Sequence, residues 1–285
     1  MTAKTFAPLL DAHGVKIPAL GLGTFRLQGD ACRAAVSSAI DMGYRHIDTA
    51  AMYENEIDVG AGVRAASVAR EEVFVTTKVW TENIAAGTLQ LSAESSLHRL
   101  KLDYVDLLLI HWPNRTVPLE QSIEALCDAK RRGMTKHIGV ANFPIALLDE
   151  AVRLAASHGE TLTTNQCEYH PRLDQSALLA ACRRHGIVFV SYCPLGQGNL
   201  VNDPVLVGIA KKHNKTAAQI ILRWHVQQPG VAAIPKSATP AHIAANFAIF
   251  DFELPQEDMQ EISALRASGG RLVNPAFAPD WDRTA

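Results

Sequence analysis

Short apolar runs alternate with amphipathic helical stripes eight times along this chain, and that alternation restricts the fold more than any other feature. The runs fall at residues 19–22, 46–48, 73–79, 105–110, 137–140, 164–168, 188–191 and 231–234. The third, VFVTTKV, is rich in β-branched residues and gives the strongest strand signal. Helices are predicted at 30–42, with Asp30 as its cap, and at 56–66. Others run along Leu89, Ala93, Leu97 and Leu100; at 120–132 before Gly133; along Leu148, Ala151, Val152 and Ala155; and at 176–185 before Gly186. Ala217, Ile220, Ile221 and Trp224 form the clearest apolar stripe, and 240–247 gives the eighth helix. Strands covered by helices read as apolar runs, and repeated βα units imply an α/β fold with a parallel sheet. A doubly wound open sheet competes. Eight units in 285 residues favour a closed (β/α)8 TIM barrel. Residues 5–18 add an N-terminal β-hairpin with its turn at 11–14. Extra helices are expected at 203–213 and along Met259, Ile262 and Leu265, and an irregular Pro-rich tail from Gly269. No shift of composition marks a linker, so residues 1–285 read as one domain.

Composition excludes several classes. The formal net charge of −2 gives no basic footprint for nucleic acid or a membrane surface. No apolar run approaches the ~18 residues of a membrane span, and the first residues show no signal peptide. Five cysteines without a CxxC suggest neither a disulfide framework nor a zinc knuckle. A cytoplasmic protein is expected, and a monomer, since no coiled-coil or large exposed apolar pattern is visible.

The stretch GYRHIDTAAMYENE, residues 43–56, places Asp48 at a strand end and Tyr53 in the following loop. In a barrel of this kind, reactive groups stand at the C-terminal ends of strands. The next two strands end at Lys78 and His111. The remaining strands offer Asn142, Gln166 and Glu168, Tyr192, and Lys236 with Ser237. Alone, Asp48 and Lys78 would equally make a structural ion pair, His111 a core histidine and Tyr53 a loop aromatic. Together they make a proton donor. Lowering a tyrosine pKa from ~10 towards neutrality takes roughly 4 kcal/mol, and a neighbouring ammonium acts in that direction. Asp48 supplies the counter-ion a buried lysine needs, and His111 can orient a substrate oxygen. Such a set suits protonation of a carbonyl oxygen during hydride addition.

A hydride needs a source. No HExxH, paired-histidine spacing, GxGxxG or Walker A segment is present. The candidate cofactor segments are late: YCPLGQGNL, beginning at Tyr192, and IPKSATP, where Lys236, Ser237 and Thr239 precede a helix that could receive a phosphate.

GYRHIDTAAMYENE, TTKVW, LLLIHWP, GVANF, NQCEYHP and IPKSATP occur in the order found in the aldo-keto reductase superfamily, which the chain resembles over nearly its whole length. Its tail, RLVNPAFAPDWD, is similar to that of the prokaryotic 2,5-diketo-D-gluconate reductase group. The resemblance implies an NADPH-dependent carbonyl reductase with the catalytic tetrad Asp48, Tyr53, Lys78 and His111, Tyr53 being the general acid. It implies a cofactor site of Gly23, Thr24 and Asp48, with Asn142 and Gln166 on the nicotinamide carboxamide and Tyr192 against its ring. Cys193, Pro194, Leu195, Gly196 and Gly198 would cover the pyrophosphate. Lys236, Ser237, Thr239, His242 and Asn246 would surround the 2′-phosphate. Phe25, Trp80, His111, Trp112 and Trp281 would line the substrate pocket, with no metal.

Two departures stand out. Ala141 replaces the usual serine, removing a hydroxyl. His242 stands where many members have arginine, and an imidazole is only partly charged near neutrality. NADPH preference should therefore be weaker and fade as pH rises. Two other classes compete with a reductase that accepts methylglyoxal, 2,5-diketo-D-gluconate or other small aldehydes. One is a cofactor-binding regulatory protein, which the complete tetrad disfavours. The other is a metal-dependent barrel hydrolase, which lacks ligand spacing.

Overall fold

The parallel strands close into a ring. The structure, a computed structural model, describes residues 6–266 and 270–282; Thr5 of the expected hairpin and Gly269 of the expected tail lie outside the described residues. The eight strands run β3 (Leu22–Gly23), β4 (His46–Asp48), β5 (Phe74–Val79), β6 (Val105–Ile110), β7 (Thr135–Ala141), β8 (Leu162–Glu168), β9 (Val188–Tyr192) and β10 (Val231–Ala233). Each is parallel to its neighbour in chain order. Bridges Leu20–Ala233 and Gly23–Lys236 join the two ends. Backbone bonds from Gly21 to Ala233, from Ala233 to Ala19 and from Gly23 to Pro235 complete the seam. The doubly wound alternative is thereby excluded.

The run VDLLLI is apolar on both faces because the barrel has two apolar layers. Leu107 and Leu109 pack inward with Ala141, whereas Leu108 and Ile110 join the larger layer beneath the helices. That outer layer is covered by α1 (Gly29–Met42), α2 (Glu56–Ala65), α3 (Thr88–Leu100), α4 (Leu119–Arg131), α5 (Ile145–Ser157), α6 (Ser176–Arg184), α8 (Ala217–Val226) and α9 (Pro240–Phe247). The α8 stripe buries Ile220, Ile221 and Trp224, as its spacing predicts. The expected extra helices are α7 (Pro204–Lys212) and α10 (Gln256–Ser263). Hairpin β1 (Leu9–Ala12) and β2 (Val15–Pro18) turns through His13–Gly14. It buries Ala12 and Ile17 against Val188, Val190, Ala232 and Ile234, plugging the end of the barrel where β9 begins.

One expectation fails locally. Asp30 does not cap α1; it lies in the exposed first turn beside Arg33. The Gly29 N–H instead donates to Asp58 of α2 at 2.7 Å. Gln28 occupies the cap position, but its side chain donates to the Tyr53 carbonyl, 2.8 Å away. Tertiary bonds thus replace the local cap.

At the seam, a β-carbon on Gly23 would lie 2.7 Å from the Ile234 carbonyl oxygen. Gly23→Ala should cost about 1–3 kcal/mol through overpacking, and lower the melting temperature by several degrees in a thermal unfolding scan.

Candidate active site

Strand register aims the expected residues at one end of the barrel interior. Lys78 pairs with the inward-facing Leu109, and His111 follows Leu109 by two residues. Asp48 pairs with Thr76, two residues before Lys78, and Gln166 pairs with the inward-facing Ala141. Side chains with the same parity share a face, so carboxylate, ammonium, imidazole and amide converge.

Lys78 is the hub. Its Nζ donates to Asp48 Oδ1 at 2.5 Å, to the Thr49 carbonyl at 2.7 Å and to the Tyr53 hydroxyl at 3.3 Å. An ammonium has three protons and accepts nothing. All three are engaged, so the Tyr53 oxygen accepts a hydrogen bond from Lys78 and cannot donate one back. The ion pair is almost wholly buried, with side-chain exposures of 0% for Lys78 and 2% for Asp48. Burial opposes the lysine charge, but Asp48 and Tyr53 outweigh it and hold the Lys78 pKa above its ordinary value. Gln166 Nε2 donates to the other carboxylate oxygen of Asp48 at 2.7 Å.

Tyr53 departs from the expectation that Lys78 brings it towards neutrality. Burial raises the phenol, Lys78 only partly offsets this, and Asp48 adds to the rise. The net direction is up, so the site holds a protonated phenol rather than a phenolate. His111 moves the other way: burial first, and the Lys78 charge second, push it well below the usual histidine range. Its Nδ1 is buried without a hydrogen-bond partner. A neutral imidazole has one N–H to offer.

The Tyr53 loop is held by a network with little sequence signal. Asn55 donates to the carbonyls of Thr24 and Leu27 and accepts from the Thr49 hydroxyl. Thr24 donates its own hydroxyl to the Asp48 carbonyl at 2.9 Å. Thr49 contributes to the Lys78 cage through its main-chain oxygen, which any residue could supply.

The expected substrate residues form one continuous aromatic wall. Ring centroids link Phe25 to Tyr53 (5.0 Å), Tyr53 to His111 (5.8 Å) and His111 to Trp80 (5.2 Å). Phe277 bridges Trp80 and Trp112 at 5.6 Å each, and Trp112 meets Trp281 at 6.0 Å. The sequence reading missed Phe277, although an aromatic in the tail it singled out was the available signal.

The cofactor candidates fall into four sets. Gly23 and Thr24 serve the barrel seam and the Asp48 backbone. Asn142 donates to the His111 carbonyl and accepts from the Tyr192 hydroxyl at 2.8 Å, so it and Gln166 already position catalytic candidates. Each amide keeps a second N–H for a ligand. Ala141 is buried with Leu107 and Leu109. Beyond the half-buried Tyr192, Cys193, Gly196, Gln197 and Gly198 have positive φ and fold residues 193–198, with Pro194 and Leu195, into a tight loop. Lys236, Thr239 and His242 are exposed together around the start of α9, while Ser237 and Asn246 are buried beside them. A cation, a hydroxyl and a helix N-terminus form a donor set suited to a phosphate.

A barrel that gathers Asp48, Tyr53, Lys78 and His111 under an aromatic wall defines a class. A profile described as Aldo/keto reductase family matches residues 19–267, and the chain belongs to that family. It is an oxidoreductase that reduces carbonyl groups. It is 42% identical to the methylglyoxal reductase DkgB of Escherichia coli O157:H7 over 269 residues, covering 93% of this chain and 99% of that protein. A crystal structure of a putative 2,5-diketo-D-gluconic acid reductase B superposes with a TM-score of 0.94 at 42% identity, over 98% of each chain. The Bombyx mori aldo-keto reductase, solved in complex with NADP, superposes with a TM-score of 0.84 at 35% identity, over 92% of this chain and 94% of that one.

Because His111 stays neutral, kcat/KM for an aldehyde at saturating cofactor should show no limb near pH 6.5. A pH–rate profile between pH 5.5 and 9 tests this; the rate should stay flat across that interval.

Proposed function

We propose that this protein uses NADPH to reduce small aldehydes and ketones, methylglyoxal and similar 2-oxoaldehydes first among them, with Tyr53 as the proton donor. The observation that carries the reading is the fully engaged Lys78 ammonium, which leaves the Tyr53 proton for an acceptor in the cleft. NADPH, when bound, supplies the hydride. The groups suited to hold it are Tyr192, Asn142, Gln166, the 193–198 loop, and Lys236 with Ser237, Thr239, His242 and Asn246. Lys236 favours a 2′-phosphate, and the absence of arginine at His242 makes that preference modest.

His111 offers its N–H to the substrate oxygen and fixes the carbonyl's direction. Tyr53 shares that oxygen and gives it a proton as negative charge develops. Lys78 stabilises the phenolate left behind, and Asp48 with Gln166 keeps Lys78 in place. A raised ground-state pKa is compatible with this role, because an alkoxide is a far stronger base than a phenolate. Whole-chain identity to a methylglyoxal reductase supports the substrate class. A second reading, a diketo sugar acid, is favoured by two cations at the ends of the aromatic wall: Arg26 over Phe25 at 5.2 Å and Arg271 over Trp281 at 3.6 Å. We read residues 1–285 as one such domain, acting as a cytoplasmic monomer; its five unpaired cysteines support a reducing compartment.

Tyr53→Phe should lower kcat for methylglyoxal by about 10²–10⁴-fold, the usual range for a general acid. NADPH affinity, read from quenching of tryptophan fluorescence, should change by less than about threefold, since an unchanged binding free energy leaves Kd unchanged. Near-normal turnover by the variant would refute the assignment.

A further inference from the structure

The C-terminal segment 270–282 supplies Phe277 and Trp281 to the aromatic wall, and among its residues only Ala278 and Pro279 are buried. Phe277 is 44% exposed and meets the rings of Trp80 and Trp112. Phe277 borders a pocket of about 310 Å³, lined also by Ile84, Phe143, Leu147 and Asp282. Polar anchors add to these contacts in holding the segment.

Those anchors are unequal. The Arg115–Asp280 ion pair is exposed on both sides, 67% and 96%, and is therefore screened and weak. Asp282 accepts from the Ile145 N–H at the exposed start of α5. Glu168 is different. Its residue is fully buried, and its two carboxylate oxygens accept separate backbone N–H groups, from Leu272 at 2.7 Å and Val273 at 2.9 Å. His170 adds a third contact at 3.1 Å. Next to them, a β-carbon on Gly270 would lie 1.9 Å from the Arg172 carbonyl oxygen, so the segment is threaded tightly against the loop that follows β8. The same strand face carries Gln166, which holds Asp48.

We propose that Glu168 is a positioning residue for substrate selection, whose carboxylate clamps segment 270–282 so that Phe277 completes the pocket wall. This rests on the carbonyl-reductase reading. Glu168 takes no part in the chemistry. A substrate large enough to reach Phe277 feels the clamp; one as small as methylglyoxal, held at Tyr53 and His111, does not. Only a carboxylate serves both donors. A glutamine presents an NH2 group to one of the two N–H groups and breaks that bond.

The test compares methylglyoxal with a bulky aromatic aldehyde, 4-nitrobenzaldehyde, by NADPH oxidation. Glu168→Gln should raise KM for the aromatic aldehyde about tenfold, the scale of one lost ring contact. Its kcat, and both constants for methylglyoxal, should stay within about twofold, because kcat reports the chemical step. Phe277→Ala should raise KM for the aromatic aldehyde to a similar extent, and the double variant should raise it no further. Leu272→Pro deletes one of the clamped N–H groups from the exposed side, and it decides the matter if Glu168→Gln fails to fold. An unchanged aromatic-aldehyde KM in the folded variants, or an equal loss with both substrates, overturns the clamp. Failure of the unaltered protein to reduce either aldehyde would instead defeat the reductase reading.

Discussion

One buried ammonium organises this site. Lys78 has lost its water, and removing a charge from water is expensive unless partners replace it. The replacements come from three directions: a carboxylate on β4, a main-chain oxygen just past β4 and a phenol in the next loop. Removing one partner of such a pair typically costs about 3–5 kcal/mol, because the other charge is left uncompensated. The positions of Asp48, Thr49 and Tyr53 are therefore tied to stability as well as to chemistry. The Tyr53 loop cannot drift without leaving an ammonium proton unbonded in the interior.

The barrel makes this arrangement possible by register. Neighbouring parallel strands present alternate residues inward, so Asp48, Lys78 and His111 converge without any contact along the sequence. The outer set of apolar residues binds the helices, and the inner set, including Leu107, Leu109 and Ala141, fills the barrel below the site. Polar groups at the open end are then linked in series. Tyr192 bonds to Asn142, Asn142 to the His111 carbonyl, and Gln166 to Asp48. Side chains expected to serve a ligand also serve the protein, which pre-organises the site.

Much of this was legible in the sequence because it follows from period and position. The run VFVTTKV announced a strand and placed Lys78 near its end, and LLLIHWP did the same for His111. The tryptophans after two strands were expected in a substrate pocket only through the family resemblance, and their rings join one aromatic wall. What escaped was whatever depends on long-range geometry. Asp30 looks like a cap, but Asp58, from another helix, accepts the Gly29 N–H. The direction of the Tyr53 pKa shift needs the balance of burial against charge, and no motif carries that balance. Glu168 was noticed as a strand-end carboxylate, but its partners are backbone N–H groups about a hundred residues later, which side-chain identity does not encode. Thr49 acts through its carbonyl and is silent for the same reason.

The central claim is that Lys78 leaves the proton on Tyr53 and free for the cleft. The direct measurement is a pH titration of Tyr53 in the intact protein, labelled with 13C at the tyrosine ζ carbon and followed by NMR, with Tyr53→Phe assigning the signal. The account predicts that Tyr53 remains protonated to beyond about pH 10, the ordinary tyrosine value. Titration of that signal near neutrality would mean that Lys78 stabilises a resting phenolate, and would contradict the account.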